Sequence, residues 1–243
     1  WLKEKSDEQW SMGEIWWELT NKRADEKTIS YAECHDQALV GDKTLIFRMM
    51  DKEMYTAMNV ESRNLVVDRG IALHKLIRLV TLATAGDGYL TFMGNEFGHP
   101  EWIDFPRAGN GWSYKYARRQ WSLCKPDYLR YKYLMNFDED MVHLFRDSGI
   151  LAFRPELIRA DEDKKVLVFR RGSYIFAFDF NPSGSFSDYG FEAPQGDWKL
   201  VLDSDEKCYD GFARLTTGEL HHADTALSVY LPSRCALVLV KIK

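Results

Sequence analysis

The sequence predicts a mixed fold, in which an α/β part of helices and strands precedes an all-β part. Two observations predict it. Over the first 145 residues, apolar side chains recur every three or four positions in long stretches, which is typical of helices, and a short apolar run follows one of them. From about residue 146 the apolar pattern changes to a period of two, with turn residues between short runs. We therefore divide the chain into residues 1–145 and residues 146–243.

The clearest pattern in the α/β part is a helix followed by a loop and a strand. The apolar spacing predicts a buried helix over residues 69–83, with Asp68 as its N-cap. The Gly-Asp-Gly segment at residues 86–88 ends the helix. Residues 89–93 then form an almost fully apolar run, of the kind buried on both faces in a parallel sheet. Helix, loop and buried strand in this order are one step of an α/β barrel or a doubly wound sheet.

Other elements flank this step on both sides. The first 19 residues have apolar spacing that indicates helical segments, and residues 128–145 predict a second amphipathic helix. In the all-β part, residues 166–180 predict a hairpin that turns near Gly172. Three further strands are predicted, at residues 198–202, 227–231 and 236–242. This pattern is typical of a β-sandwich or a partial barrel.

Composition argues against two classes of partner. The formal net charge is −5 and the basic clusters are short, so no broad positive surface is available to hold a phosphate backbone. No apolar run approaches the roughly 20 residues that span a bilayer, and the first ten residues are too polar for a secretory signal. We expect no nucleic acid and no membrane as partners, and a cytoplasmic location.

The cysteines and histidines show no metal motif. The four cysteines are scattered and lack CxxC spacing, so we expect reduced thiols that pack in the interior. His221 and His222 lie in a polar segment with no cysteine at ligand spacing, which favours a surface loop over a metal site. The sequence predicts neither a metal nor a cofactor.

The segment that best indicates function is residues 31–37, where His35 and Asp36 follow the end of a β-rich run. Barrel enzymes keep their catalytic side chains at strand ends. Neighbours on a strand point to opposite faces, so His35 and Asp36 can reach one pocket only if the backbone leaves the strand between them. In the alternative interpretation, His35 packs or caps and Asp36 is a solvated loop carboxylate. A nucleophile triad that includes Cys34 is disfavoured, because three consecutive residues cannot easily make the required successive hydrogen bonds.

A second polar and aromatic segment, residues 94–107, follows the predicted strand. Aromatic rings stack on the faces of sugars and acidic side chains bind sugar hydroxyls, so this composition indicates a sugar site. A loop that its glycines and prolines merely shape is an equal alternative.

Two long motifs, residues 31–43 and 88–107, closely resemble the C-terminal part of 1,4-α-glucan branching enzymes of the eukaryotic type, members of the α-amylase superfamily. Residues 68–75 and 202–205 fit the same family pattern. The resemblance implies that the α/β part is the C-terminal part of a (β/α)8 TIM barrel, and that the all-β part is an antiparallel β-sandwich.

In that barrel, residues 29–33 would be the seventh strand and residues 89–93 the eighth. The family reaction cuts an α-1,4 linkage, holds the piece as a covalent glycosyl-enzyme, and transfers it to a 6-hydroxyl to make an α-1,6 branch with retention of configuration.

The resemblance also implies roles for individual residues. By motif position, Asp36 corresponds to the carboxylate that stabilises the transition state, and His35 to the histidine that hydrogen-bonds the same sugar. Their neighbours Glu33 and Gln37 are candidates for supporting residues that help to bind the substrate. We also expect Trp112 to contribute to substrate binding.

The family's nucleophile and acid/base carboxylates lie on earlier barrel strands, and this sequence contains neither motif. We therefore expect the chain alone to be inactive. Its expected partners are an α-1,4-glucan, either glycogen or starch, and the N-terminal portion of the same enzyme. In a plant the expected location is the plastid.

There are two alternatives to this function. A non-catalytic glucan-binding module would offer Trp102, Trp112 and Tyr114 to a polysaccharide. An amylase-like hydrolase is disfavoured, because residues 94–102 have the form that resembles branching enzymes.

Overall fold

A computed structural model describes residues 1–23, 25–39, 43–101 and 103–242. The helices are α1 (Met12–Thr20), α2 (His35–Leu39), α3 (Leu45–Met50), α4 (Leu65–Ala83) and α5 (Tyr131–Ser148). The first strands are β1 (Ile29–Ser30), β2 (Gly88–Tyr89), β3 (Pro155–Asp161), β4 (Val166–Arg171) and β5 (Tyr174–Asp179). The others are β6 (Phe186–Glu192), β7 (Gly196–Asp203), β8 (Leu220–Ala223), β9 (Ala226–Leu231) and β10 (Cys235–Lys241).

β1 and β2 form a short parallel pair, in which Ile29 lies opposite Gly88 and Ser30 opposite Tyr89. The prediction that residues 89–93 form a strand buried on both faces is wrong for this chain. Leu90 is 40% exposed and Met93 is 51% exposed. In the described residues β2 has a strand neighbour on one side only, so the run beyond Tyr89 has no second ladder to join.

α4 confirms the predicted buried helix but begins four residues earlier, at Leu65. Its N-cap is Asn64, whose side-chain oxygen accepts hydrogen bonds from the backbone N–H groups of Val66 (2.9 Å) and Val67 (3.2 Å). The prediction that Asp68 caps the helix is therefore wrong. β-branched residues lower helix propensity, but full burial of Val67 compensates for it here.

The all-β part is a sandwich, as the period of two predicts. Its large sheet has the antiparallel order β3-β4-β5-β10-β7-β8, and β6 pairs with β9 in the second sheet. The predicted hairpin turns at Gly172, whose positive φ of 60° suits glycine. One face of the large sheet packs against the helices through Phe169, Phe176 and Phe178. The other face packs against the β6–β9 pair.

Three strands escaped the sequence pattern. β3, β6 and β8 lie at sheet edges or in the smaller sheet and are mostly exposed or half-buried: no residue of β3 is buried, and β6 and β8 bury only Tyr189, Phe191 and Ala223. His221 and His222 belong to β8, where they lie opposite Trp198 and Asp197 of β7. The prediction that the two histidines form a surface loop is therefore wrong, although the His222 side chain is exposed and lies 2.6 Å from Asp197.

The helical part and the sandwich share one apolar core. Phe145 of α5 packs on Phe176 of β5 with ring centroids 5.7 Å apart. The buried guanidinium of Arg130 bridges Asp68 of α4, at 2.6 Å, and Asp210 of the sandwich. α5 itself extends past residue 145 to Ser148. The division of the chain at residue 145 stays a prediction.

Replacement of Arg130 by methionine is expected to lower the free energy of unfolding by about 3–5 kcal/mol. The change preserves much of the side-chain length but leaves the carboxylates of Asp68 and Asp210 without their shared cation. Urea unfolding measures the loss. The matched control is Arg146→Met, which removes the exposed ion pair with Asp147 and should cost no more than about 0.5 kcal/mol. Equal stability of the two variants would contradict the expectation.

Asp179 should make stability depend on pH. It is fully buried; one carboxyl oxygen accepts from the Asn181 N–H at 2.7 Å, and the other has no partner among the described residues. Burial raises the pKa of Asp179 to about 8. Because this pKa lies above that of the unfolded chain, the stabilising contribution is complete below about pH 4 and is lost as the pH rises through about 8.

Asp179→Asn should remove this dependence, because the amide is neutral at every pH. We expect urea midpoints of the parent protein to fall between pH 5 and pH 8 by more than those of the variant. Asp163→Asn, in the exposed turn between β3 and β4, is the matched control and should keep the parent's dependence. Parallel pH profiles for the parent and the Asp179 variant would contradict a neutral buried carboxyl.

Candidate functional site

The candidate site forms where the segments after β1 and β2 meet. The chain leaves the extended conformation after Ser30 and enters α2 at His35. His35 Nε2 lies 3.1 Å from Asp36 Oδ1, with the two side chains 59% and 66% exposed. The backbone between them is helical, so the two side chains contact each other; His35 lines the cavity described below, whereas Asp36 is not among its lining residues. The sequence pattern did not predict this short helix.

Gln37 and Cys34 hold this turn together. The side-chain oxygen of Gln37 accepts a hydrogen bond from the Cys34 N–H at 2.9 Å, a contact three residues apart like that of a capping box. Cys34 is buried, and its Sγ lies 3.7 Å from Asp36 Oδ2. Asp36 thus contacts both Cys34 and His35. In a cysteine–histidine–carboxylate relay the histidine would lie between the other two side chains.

Glu33 lies beneath the pair, only 3% exposed. Its carboxylate accepts hydrogen bonds from the backbone N–H of Leu45, at the start of α3, and from the side-chain amide of Asn95, after β2. Burial raises the pKa of Glu33, and these two hydrogen bonds oppose the rise. Both oxygens are engaged, so Glu33 ties together the segments that follow the two strands.

A buried guanidinium, missed by the sequence reasoning, organises the segment after β2. Arg119 donates to the carbonyl oxygens of Met93 and Glu101, at 3.0 Å each. It also lies over the Phe92 ring at 5.8 Å. Beside it, burial and the charge of Arg119 lower the pKa of His99 to about 4, so His99 is neutral near pH 7. Nothing in the spacing of Arg118-Arg119 distinguishes this side chain from a surface arginine.

An open cavity of about 610 Å³ lies along this edge. His35 lines it, and its ring centroid is 6.4 Å from that of Phe92. The remaining lining residues are Cys34, Leu90, Thr91, Met93, Glu96, Trp121, Met135 and Asp138. The combination of rings, apolar surface and a few carboxylates is the surface chemistry that suits a sugar.

Trp112 lies apart from these residues. It follows a short turn at Ala108–Asn110, adopts a φ of 58° and is 67% exposed. Tyr114 nearby is 62% exposed. In the described part of the chain, no hydrogen bond or ring contact links Trp112 to His35 or Asp36. Trp102, a candidate in the binding-module alternative, lies outside the described residues.

Comparison with known proteins identifies the family. Residues 157–241 match the family "Alpha amylase, C-terminal all-beta domain". Over 99% of its length the chain is 49% identical to the 1,4-alpha-glucan-branching enzyme of Yarrowia lipolytica and 51% identical to that of Equus caballus. The chain belongs to the 1,4-alpha-glucan-branching enzyme family. It spans 36% of the length of each of these two relatives.

Membership in the branching-enzyme family confirms the resemblance of the two long motifs. Among solved structures, the chain is similar to a crystal structure of an alpha-amylase from H. orenii, with a TM-score of 0.53 and 14% identity over 90% of this chain and 40% of that one. At this identity the likeness concerns the fold alone. In the part of the chain that the structure describes, every helix is too short or too polar to cross a membrane.

Proposed function

We propose that this chain is the C-terminal part of an enzyme that cleaves an α-1,4 linkage of a glucan and transfers the chain to a 6-hydroxyl, making an α-1,6 branch. The observation that carries the proposal is the identity of about half of all residues with branching enzymes over nearly the whole chain. The His35–Asp36 pair at the end of a parallel strand pair supports it.

We further propose that residues 1–145 are the last steps of a (β/α)8 barrel and that residues 146–243 are the sandwich domain. The parallel pairing of β1 with β2 supports this division, because parallel neighbours need a crossover connection and α4 lies in that connection. In the barrel β1 is the seventh strand and β2 the eighth. The catalytic nucleophile and acid/base then belong to earlier strands, outside this chain.

Asp36 is proposed to stabilise the transition state. In retaining chemistry the sugar at the cleavage point passes through an oxocarbenium-like state, both when the glycosyl-enzyme forms and when it is transferred. A carboxylate fixed beside the sugar hydroxyls interacts more strongly with this positive charge than with the neutral ground state. His35, 3.1 Å from Asp36, orients the carboxylate and hydrogen-bonds the same sugar.

The other candidate residues are proposed to have positioning or stacking roles. Glu33 is a positioning residue, since its carboxylate already binds Leu45 and Asn95. Gln37 positions the turn through its bond to Cys34. Trp112, exposed and separate from the pair, is a stacking platform for a more distant part of the glucan chain. The substrate class is an α-1,4-glucan such as glycogen or starch, and the location is the cytoplasm or, in a plant, the plastid.

The test is to incubate the full-length protein that contains this chain with linear α-1,4-glucan. If the enzyme transfers chains, iodine staining should fall and the number of α-1,6 linkages should increase. The total number of reducing ends in the product mixture should stay constant. Hydrolysis would release one reducing end for every bond cleaved. An increase in reducing ends without new branches, or no change in the glucan, would contradict the proposed function.

A further inference from the structure

The side chains of Cys34, His35 and Asp36 bring three kinds of metal ligand together. One thiol sulfur, one imidazole nitrogen and one carboxylate oxygen lie within 4.8 Å of one another. Cys34 Sγ is 3.7 Å from one carboxylate oxygen of Asp36, Oδ2, and His35 Nε2 is 3.1 Å from the other, Oδ1. Elsewhere in the described ranges, no other three histidine, cysteine or acidic side chains come this close together.

All three atoms lie within 4.8 Å of one another, so small side-chain rotations would bring them to the spacing that zinc requires. Zn²⁺ binds sulfur, nitrogen and oxygen at about 2.0–2.3 Å, so ligand atoms at the corners of a tetrahedron lie roughly 3.3–3.8 Å apart. Three protein ligands occupy one face of the tetrahedron and leave the fourth position for water. A thiolate and an imidazole also favour zinc over calcium or magnesium, which prefer oxygen ligands.

The local backbone is fixed, and two of the three side chains are open to solvent. The bond between the Gln37 side chain and the Cys34 N–H fixes the start of α2, where Cys34 and the first two helical residues present the three side chains. Cys34 is nearly buried, whereas His35 and Asp36 are more than half exposed. A metal ion can therefore enter from solvent and meet the thiol at the base of the site. Consecutive ligands lack the spaced motifs by which zinc sites are recognised in sequences, so the pattern escaped the sequence analysis.

We propose that Cys34, His35 and Asp36 bind Zn²⁺ as an inhibitor that competes with the glucan. The Cys34 thiol loses its proton to solvent when the sulfur–zinc bond forms, and no electron is transferred. Zinc binding itself is independent of the proposed function. The competition rests on it, because the metal would occupy the two side chains assigned to the sugar.

The first experiment measures binding without activity. The full-length, metal-free protein is titrated with Co²⁺, whose bond to a thiolate produces an absorption band in the near ultraviolet, and Zn²⁺ is then added to displace it. We expect one equivalent to bind. Cys34→Ser should abolish the band and weaken Zn²⁺ binding at least about tenfold. Cys208→Ser is the matched control, since Cys208 is exposed and lies 3.5 Å from Glu206.

The control should bind both ions as the parent does. A band that persists in Cys34→Ser, or one that disappears in Cys208→Ser, would overturn the proposed site. Asp36→Asn offers a further check, because loss of one ligand should weaken Zn²⁺ binding while the thiolate band remains detectable at higher Co²⁺.

The second experiment measures branching activity as a function of Zn²⁺. Each variant is compared with its own metal-free activity, so a change in basal rate does not matter. We expect zinc to raise the KM for glucan in the parent and in Cys208→Ser, and Cys34→Ser to need at least about tenfold more zinc for the same effect. Removal of zinc by a chelator should restore the rate.

The two proposals fail in different ways. Zinc that binds through Cys34 without any effect on branching would overturn the competition and place catalysis away from His35 and Asp36. A metal-free enzyme without branching activity would overturn the proposed function and leave the zinc site standing. Inhibition that is unchanged in Cys34→Ser would overturn the zinc site alone.

Discussion

Replacement of Asp36 by asparagine in the full-length enzyme is expected to lower branching turnover at least about a hundredfold while the fold stays intact. The amide keeps the shape of the side chain but loses the negative charge that favours the oxocarbenium-like state. Because the Asp36 side chain is 66% exposed, its replacement removes little packing. The measurement is the initial rate of α-1,6 linkage formation, with urea unfolding of the same samples.

The matched control is Asp147→Asn. Asp147 is 63% exposed and pairs with Arg146 at the end of α5, away from the cavity that His35 lines. Both variants should unfold at about the parent's urea concentration, and the control should keep the parent's rate. Near-normal turnover in Asp36→Asn would make Asp36 a solvated surface carboxylate and would refute its proposed role.

The 243-residue chain by itself is expected to form no branches at all. A carboxylate that orients the substrate cannot form a glycosyl-enzyme without a nucleophile, nor can it protonate the leaving oxygen in the acid's place. The purified chain is incubated with linear glucan, and new α-1,6 linkages are counted. The full-length Yarrowia lipolytica relative, 49% identical to this chain, serves as the positive control.

A complementation experiment tests whether the isolated chain lacks only its N-terminal portion. Adding a separately produced N-terminal portion of the same enzyme should restore activity, because the exposed edges of β1 and β2 are then covered by the strands they lack. Complementation by a portion that lacks its own nucleophile should fail. Branching by the isolated chain above the blank would contradict the assignment of its catalytic carboxylates to earlier strands.

The periodicity of apolar residues along the chain made several helices and strands predictable. The apolar repeat of α4 and α5 and the period of two in β4, β5, β7, β9 and β10 are properties of consecutive residues, and the structure has an element at each. The position of His35 and Asp36 after a strand was predictable for the same reason. The two long motifs also make the family recognisable from the sequence alone.

Other features depend on residues far apart in the chain. Glu33 looked like one more polar neighbour of His35, yet it is buried because Leu45 and Asn95 supply its hydrogen bonds. Nothing in the sequence near Arg119 distinguishes it from a surface cation, yet it is buried against Phe92. No local pattern encodes such partners, because each contact exists only after the two loops have met.

The sequence by itself determined the two kinds of secondary structure, the order in which they occur and the segment that holds the candidate site. Only the tertiary structure decided that β1 and β2 are two residues long, and that Glu33 is buried where Leu45 and Asn95 supply its hydrogen bonds. Periodicity reports the face that a segment buries. The extent of a strand and the burial of a polar side chain depend on which distant neighbours are present to complete their hydrogen bonds.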